Sequence, residues 1–208
     1  MKQLLPALRL VFGLVASVAL AWQLAIQIQM GFSVLNFFSF FTNLSNLFAA
    51  AVLLLGAFGF FARSEASDLS DQIRAVSVVN MAVVGIVFAV LLRDVDLGSL
   101  LPWVNFVLHY VMPCVVVLDW FLQPPKMKLG TRQLLLIQVF PAFYLLYVLV
   151  RGSRVDWYPY PFLNPANVGG YDGVAVYAIG IALTFLIAGW SLLALGNKQS
   201  RAAAVASN

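Results

Sequence analysis

Six apolar segments, each long enough to cross a bilayer as a helix, take up most of the chain. A spanning helix needs about 20 predominantly apolar residues. The segments run from Ala7 to Gln29, Asn36 to Phe61, Ile73 to Leu92, Leu101 to Leu122, Arg132 to Val150 and Tyr171 to Leu195. The connections between them, Met30–Leu35, Ala62–Gln72, Arg93–Leu100, Gln123–Thr131 and Arg151–Gly170, hold the breakers and most of the charge. With 62% hydrophobic and only 10% charged residues among 208, the chain cannot be a water-soluble globule, a disordered segment or a nucleic-acid module. The reading is an all-α, polytopic integral membrane protein with six transmembrane helices. Residues 1–196 form one domain, and residues 197–208 form a polar, alanine-rich tail expected to fray.

Basic residues set the expected orientation. Lys2, Arg9, Arg63, Arg74, Lys126, Lys128, Arg132, Lys198 and Arg201 fall on one side, and Arg93, Arg151 and Arg154 on the other. By the positive-inside rule, nine against three places both termini in the cytoplasm. The expected location is a plasma membrane, with any site among the outer halves of the spans open to the outer side. Ala19-Leu20-Ala21 resembles a signal-peptide cleavage site. Cleavage there would leave five spans and an external N-terminus, so the first segment is read as a retained helix. Cys114 is the sole cysteine, which excludes an intrachain disulfide, and no Cys/His cluster suggests a metal. The chain has no nucleotide-binding glycine motif, no HExxH and no internal repeat of broken helices.

Polar groups within spans are costly and therefore informative. The second segment opens Asn36-Phe-Phe-Ser-Phe-Phe-Thr42-Asn43-Leu-Ser45-Asn46, and the fourth contains Asn105-Phe-Val-Leu-His109-Tyr110-Val-Met-Pro113 and Leu118-Asp119-Trp120. Both segments enter from the outer side. At 1.5 Å per residue Thr42 lies roughly 9 Å in and His109 roughly 12 Å in. Equal depth is the condition that a Thr–His pair requires. Gln23 and Gln27, Thr42 and Asn46, and Asn105 and His109 are each four apart, so each pair shares a helix face in the same layer. Taken singly, Thr42 is read as bonding the carbonyl one turn back, and the asparagines as interhelical glue. His109, the only histidine, is the functional candidate, because an ionisable group within a span is functional by default. Asp119 lies roughly 15 Å deeper, too far for a His–Asp dyad, and is expected to pair with Lys126, Lys128 or an arginine. Trp120 is expected in the interfacial belt. The proline- and aromatic-rich connection from Arg151 to Gly170 reads equally as an interfacial anchor or a lid.

Phe40-Phe41-Thr42-Asn43-Leu44-Ser45-Asn46, Leu108-His109 with Pro113, Leu118-Asp119-Trp120 and Tyr158-Pro159-Tyr160-Pro161-Phe162 occur together on a six-span chain. This combination resembles the androgen-induced and androgen-dependent membrane hydrolases and their bacterial relatives. Those proteins hydrolyse fatty acid esters of hydroxy fatty acids with a threonine nucleophile and a histidine. The resemblance implies those roles for Thr42 and His109.

The residues allow such chemistry. A neutral imidazole can take the proton of a threonine hydroxyl, which then attacks an ester carbonyl to give an acyl-threonine that water hydrolyses. Asn46, which shares a face with Thr42, is the first candidate for orienting groups or stabilising the oxyanion, followed by Asn43 and Asn105. Arg93, Arg151 and Arg154 are candidates for binding a substrate carboxylate. Phe37, Phe38 and Phe41 are candidates for lining acyl chains. The chemistry calls for no metal and no organic cofactor, and the partners expected are a lipid ester and membrane lipids, not nucleic acid. The alternatives are a transporter or binding protein for a small amphipathic ligand, and a structural or sensory protein whose polar layer only fixes packing.

Overall fold

The computed structural model describes residues 3–63, 67–95 and 99–206. Lys2 and residues 64–66 and 96–98 of two expected connections lie outside the described residues. In chain order the helices are α1 (Leu4–Gln29), α2 (Val34–Phe38), α3 (Phe41–Phe61), α4 (Asp68–Val87), α5 (Pro102–Phe106), α6 (Met112–Leu122), α7 (Thr131–Val155) and α8 (Tyr171–Ala206). A π-helical turn, Phe88–Leu92, prolongs α4, and another, Val107–Val111, joins α5 to α6. Six of the resulting rods are long and apolar enough to cross a membrane, and no strand occurs among the described residues. The chain is an integral membrane protein of all-α class.

The bundle is built around α4. Ala75, Val78, Val79, Met81, Val83 and Val84 are buried on several of its faces, against α3, α6, α7 and α8. A helix that is apolar all round belongs in the interior of such a bundle. α1 packs most extensively on α3, where Ala16 shares a buried cluster with Ala49 and Ala50 and Gly13 lies against Leu54 and Ala50. Small side chains let two backbones approach closely where no hydrophobic effect drives helices together. α7 buries only a stripe, Ile137, Tyr144, Val148 and Gly152, and turns its other faces outward.

Three boundaries differ from the sequence expectation. α8 does not stop near Leu195 but continues to Ala206. Asn197 clasps the Leu129 backbone, donating to its carbonyl at 2.7 Å and accepting from its N–H at 3.0 Å, which holds the polar end in place. α7 runs to Val155, so Arg151 and Arg154 stand on its last turns and not in a loop. The second segment is broken, with consequences described below.

One end of the bundle is held by buried charge. Asp119 accepts from Arg9 Nε at 2.5 Å and from Arg9 Nη2 at 3.1 Å, and Arg74 Nη2 approaches it at 3.3 Å. Asp71 sits 3.7 Å from Arg74 and accepts the backbone N–H of Lys126 at 2.5 Å and of Met127 at 3.1 Å. This cluster joins the start of α1, the start of α4, the end of α6 and the connection that follows it. The partners of Asp119 are thus arginines and not Lys126 or Lys128. Trp120 is not a belt residue. It is 1% exposed, and its indole N–H donates to the Leu192 carbonyl at 3.1 Å.

Removing one member of a buried ion pair strands the other and costs about 3–5 kcal/mol. Asp119→Ala is therefore expected to lower the melting temperature in detergent sharply, and an unchanged melting curve would contradict this picture.

Candidate active site

The sequence reads as one uninterrupted helix from Asn36 to Phe61, but the structure breaks it. α2 ends at Phe38, Phe40 is extended (φ −81°, ψ 124°), and α3 starts at Phe41. Polar side chains compete with the helical ladder here. The Ser39 hydroxyl donates to the Leu35 carbonyl at 2.7 Å, and Asn43 Nδ2 donates to the Phe37 carbonyl at 2.8 Å. Thr42 thus occupies the second position of a helix and not its middle. The first N–H groups of a helix lack partners within it, and Phe40 offers no side-chain cap. Two tyrosines from elsewhere cap them. The Tyr144 hydroxyl accepts from Phe41 N–H at 3.2 Å, and the Tyr160 hydroxyl accepts from Thr42 N–H at 3.2 Å. Tyr160 also lies 3.3 Å from Thr42 Oγ1. The positive end of the α3 dipole is directed at Thr42.

His109 stands in the π turn Val107–Val111, which closes with a bond from Met112 N–H to the Val107 carbonyl. Pro113, four residues on, has no N–H to offer the His109 carbonyl and crowds it, and the wider turn relieves that conflict. Gly85 on α4 makes room for Pro113, since a Cβ there would come within 3.1 Å of the proline Cβ. The imidazole stacks on Phe88, in the other π turn, with centroids 4.1 Å apart. Its Nδ1 lies 3.2 Å from the Asn105 carbonyl. A carbonyl can only accept, so Nδ1 carries the proton, and in the neutral ring Nε2 holds the free lone pair.

Thr42 and His109 line one small cavity of about 50 Å³, together with Gln23, Gln27, Asn43 and Tyr160 as its other polar walls. This is polar and roomy enough for ordered water. Thr42, Tyr160 and Leu92 also border a second, larger space of about 380 Å³ between α4, α7 and α8. Its walls are otherwise almost wholly apolar, with Phe41, Val84 and Phe185 among them and Gln138 as the polar exception. Ala142, Ala182 and Leu186 on its margin are exposed on the outer faces of α7 and α8. Both residues are almost fully covered, Thr42 7% and His109 6% exposed.

The other candidates separate. Asn46 is fully buried and spends both amide hydrogens on backbone, at 2.9 Å to the Thr42 carbonyl and 3.1 Å to the Leu108 carbonyl, tying the two site segments together. Asn43 braces the helix break. Asn105 supplies its backbone carbonyl to His109 and lines neither cavity. Arg93 is exposed and faces Asp94 at 3.5 Å, Arg154 is exposed, and Arg151 Nη2 donates to Asn36 Oδ1 at 2.5 Å while its guanidinium lies over Trp157. None of the three arginines lines either cavity. Phe41 borders the larger space, whereas Phe37 and Phe38 border neither. Gln23 straps the preceding connection, donating to Ser99 O at 2.9 Å and accepting from Leu101 N–H at 3.0 Å.

Tyr160 is a site residue for which the sequence offers no role beyond its place in Tyr158-Pro159-Tyr160-Pro161-Phe162. Its two flanking prolines were the available signal. The connection that carries it turns into the bundle, with Tyr160, Phe162 and Leu163 buried. Gly152 permits this, because a Cβ there would overlap the Tyr158 ring.

A family model described as FAR-17a/AIG1-like protein matches residues 85–193, just over half of the chain. The chain belongs to the FAR-17a/AIG1-like family. Comparison with curated proteins and with solved structures found no match. The FAR-17a/AIG1-like segment contains both π turns, His109, Pro113, Asp119 and Tyr160, while Thr42 precedes it.

Asn46→Leu would leave the Leu108 carbonyl unpaired and free the Thr42 carbonyl from its side-chain bond. A stranded buried polar group costs about 1–3 kcal/mol. The melting temperature should fall more for Asn46→Leu than for Asn43→Leu, whose side chain makes one bond to the Phe37 carbonyl.

Proposed function

We propose that this protein is an intramembrane hydrolase of lipid esters, fatty acid esters of hydroxy fatty acids or close relatives, with Thr42 as nucleophile and His109 as base. The observation that carries this reading is the shared small cavity. It joins a hydroxyl and an imidazole, and through Thr42 it adjoins an apolar space suited to an acyl chain. Membership of the FAR-17a/AIG1-like family, whose matched segment includes His109, supports it.

Thr42 Oγ1 attacks the ester carbonyl carbon, and its proton passes to His109 Nε2. The tetrahedral intermediate collapses, the bond to the alcohol oxygen breaks, and His109 returns the proton to the departing hydroxy acid. The acyl-threonine remains with its chain in the apolar space. A water in the polar cavity then gives a proton to His109 and attacks the acyl carbon, and release of the fatty acid restores Thr42. Asn105 contributes by fixing the tautomer, and Asn46 by holding the two helix segments in register. Arg151, tethered at Asn36 on the same end of the bundle, is the arginine best held to meet a substrate carboxylate. The excess of basic residues at the opposite end supports cytoplasmic termini and a site that opens to the outer side.

The test is hydrolysis of a panel of lipid esters by detergent-purified protein. The panel includes esters of hydroxy fatty acids and short p-nitrophenyl esters. Thr42→Ala and His109→Ala are each expected to reduce kcat by a factor of at least about 1,000, with melting temperatures close to wild type. Turnover that survives both substitutions would refute the mechanism.

A further inference from the structure

We infer that Tyr160 donates the hydrogen bond that stabilises the oxyanion formed when Thr42 attacks the ester carbonyl. This rests on the hydrolase reading above and adds a group that reading lacks. Acyl transfer needs a donor aimed at the developing negative oxygen, and such a donor is usually among the largest single contributions to rate.

Tyr144 and Tyr160 cap adjacent N–H groups of α3 in the same way, each at 3.2 Å. The Tyr144 hydroxyl has its own proton committed to the Ser39 carbonyl at 2.8 Å. The Tyr160 hydroxyl accepts from Thr42 N–H, and its proton is committed to no backbone carbonyl: its neighbours are Thr42 Oγ1, at a long 3.3 Å, and the Tyr144 hydroxyl. A phenol is protonated at neutral pH. Tyr160 therefore holds a donor hydrogen beside the nucleophile that can turn to a substrate oxygen without breaking a strong bond.

Placement agrees. Tyr160 and Thr42 are polar groups that border both the polar and the apolar cavity. An ester carbonyl within reach of Oγ1, with its chain in the apolar space, lies beside the Tyr160 oxygen. The side chain is also held still. Pro159 and Pro161 restrict the backbone, the ring stacks on Phe162 at 5.2 Å and meets Phe40 edge-on at 5.7 Å, and only 7% of the residue is exposed. A donor fixed in advance need not reorganise as charge develops. Asn46 has no amide hydrogen left for substrate, since it holds the Thr42 and Leu108 carbonyls, and Asn43 commits one of its two to the Phe37 carbonyl.

In the first step the Oγ1–carbon bond forms, the Thr42 proton goes to His109, and the carbonyl π pair moves to oxygen, where the Tyr160 O–H meets it. On collapse that pair returns and the alcohol leaves with the proton from His109. Tyr160 keeps its proton throughout, and the same contact serves the attack of water on the acyl-threonine.

The experiment compares Tyr160→Phe with Tyr144→Phe in full-length protein in detergent, on the ester panel. Both changes remove one cap, and Tyr144→Phe also removes the bond to the Ser39 carbonyl, so Tyr144→Phe should lower the melting temperature at least as much as Tyr160→Phe. Tyr160→Phe should lower kcat about 100- to 1,000-fold with KM within about threefold, while Tyr144→Phe should keep kcat within about tenfold. A trifluoromethyl ketone bearing the same acyl chain forms a charged adduct with the threonine oxygen. Its inhibition constant should rise in Tyr160→Phe by the factor lost from kcat, while that of the uncharged alkyl amide should not move. A purely structural role would move both inhibitors alike. Near-wild-type kcat in Tyr160→Phe, or equal losses in the two tyrosine variants, would overturn the assignment while Thr42→Ala and His109→Ala remain inactive. Turnover retained in those two variants, or no turnover by wild type on any ester, would instead overturn the hydrolase reading and this assignment with it.

Discussion

A helix that restarts inside an apolar bundle exposes N–H groups with no water to satisfy them. Here the answer is long-range. The hydroxyls of Tyr144, on α7, and Tyr160, in the connection after it, cap Phe41 and Thr42 at the head of α3. Much else at this end follows from those two bonds. They keep the break at Ser39–Phe40 open, set Thr42 at a helix N-terminus, and fasten the connection before α8 into the bundle. The same bonds bring a phenol and a threonine hydroxyl to the seam between a polar cavity and an apolar one.

The histidine side of the site has a different origin. Pro113 denies the His109 carbonyl its usual partner, and the chain answers with a π turn that carries the imidazole at its centre. A second π turn on α4 sets Phe88 under the ring. Two departures from α-helical geometry therefore meet face to face, a pattern that marks functional places in helices. Asn46 bridges the two halves through the Thr42 and Leu108 carbonyls, so the position of the hydroxyl and that of the imidazole are linked by one side chain.

The opposite end is built for attachment. Arg9, Arg74, Asp71 and Asp119 neutralise one another, and Asp71 also holds the connection after α6 by its backbone. Charges with satisfied partners tolerate burial, whereas isolated ones do not. Trp120 ties α6 to α8 through the Leu192 carbonyl, and Asn197 ties α8 to the connection before α7.

The all-α class and the six spans were legible in the sequence because hydrocarbon demands long apolar runs, of which Ala7–Gln29 and Tyr171–Leu195 are examples. The depth count for Thr42 assumed an unbroken helix from Asn36, which Phe40 interrupts; what the structure shows is that Thr42 and His109 line one cavity. An arginine partner for Asp119 was foreseeable from the cost of a lone buried charge, but its identity was not, because Arg9 and Arg74 come from distant helices. The helix break before Thr42 escaped notice, since Asn36–Phe61 is apolar enough to run unbroken and the competing bonds come from Ser39, Asn43 and two remote tyrosines. The inward turn of Tyr160 depends on the bare face of Gly152 and on packing against Phe40 and Phe162. By itself the sequence determined the solvent, the number of crossings and the layer in which polar groups gather, because hydropathy and helical rise act locally. Only the tertiary structure decided which of those groups meet and which hydrogen remains free to donate, because both depend on contacts between helices far apart in the chain.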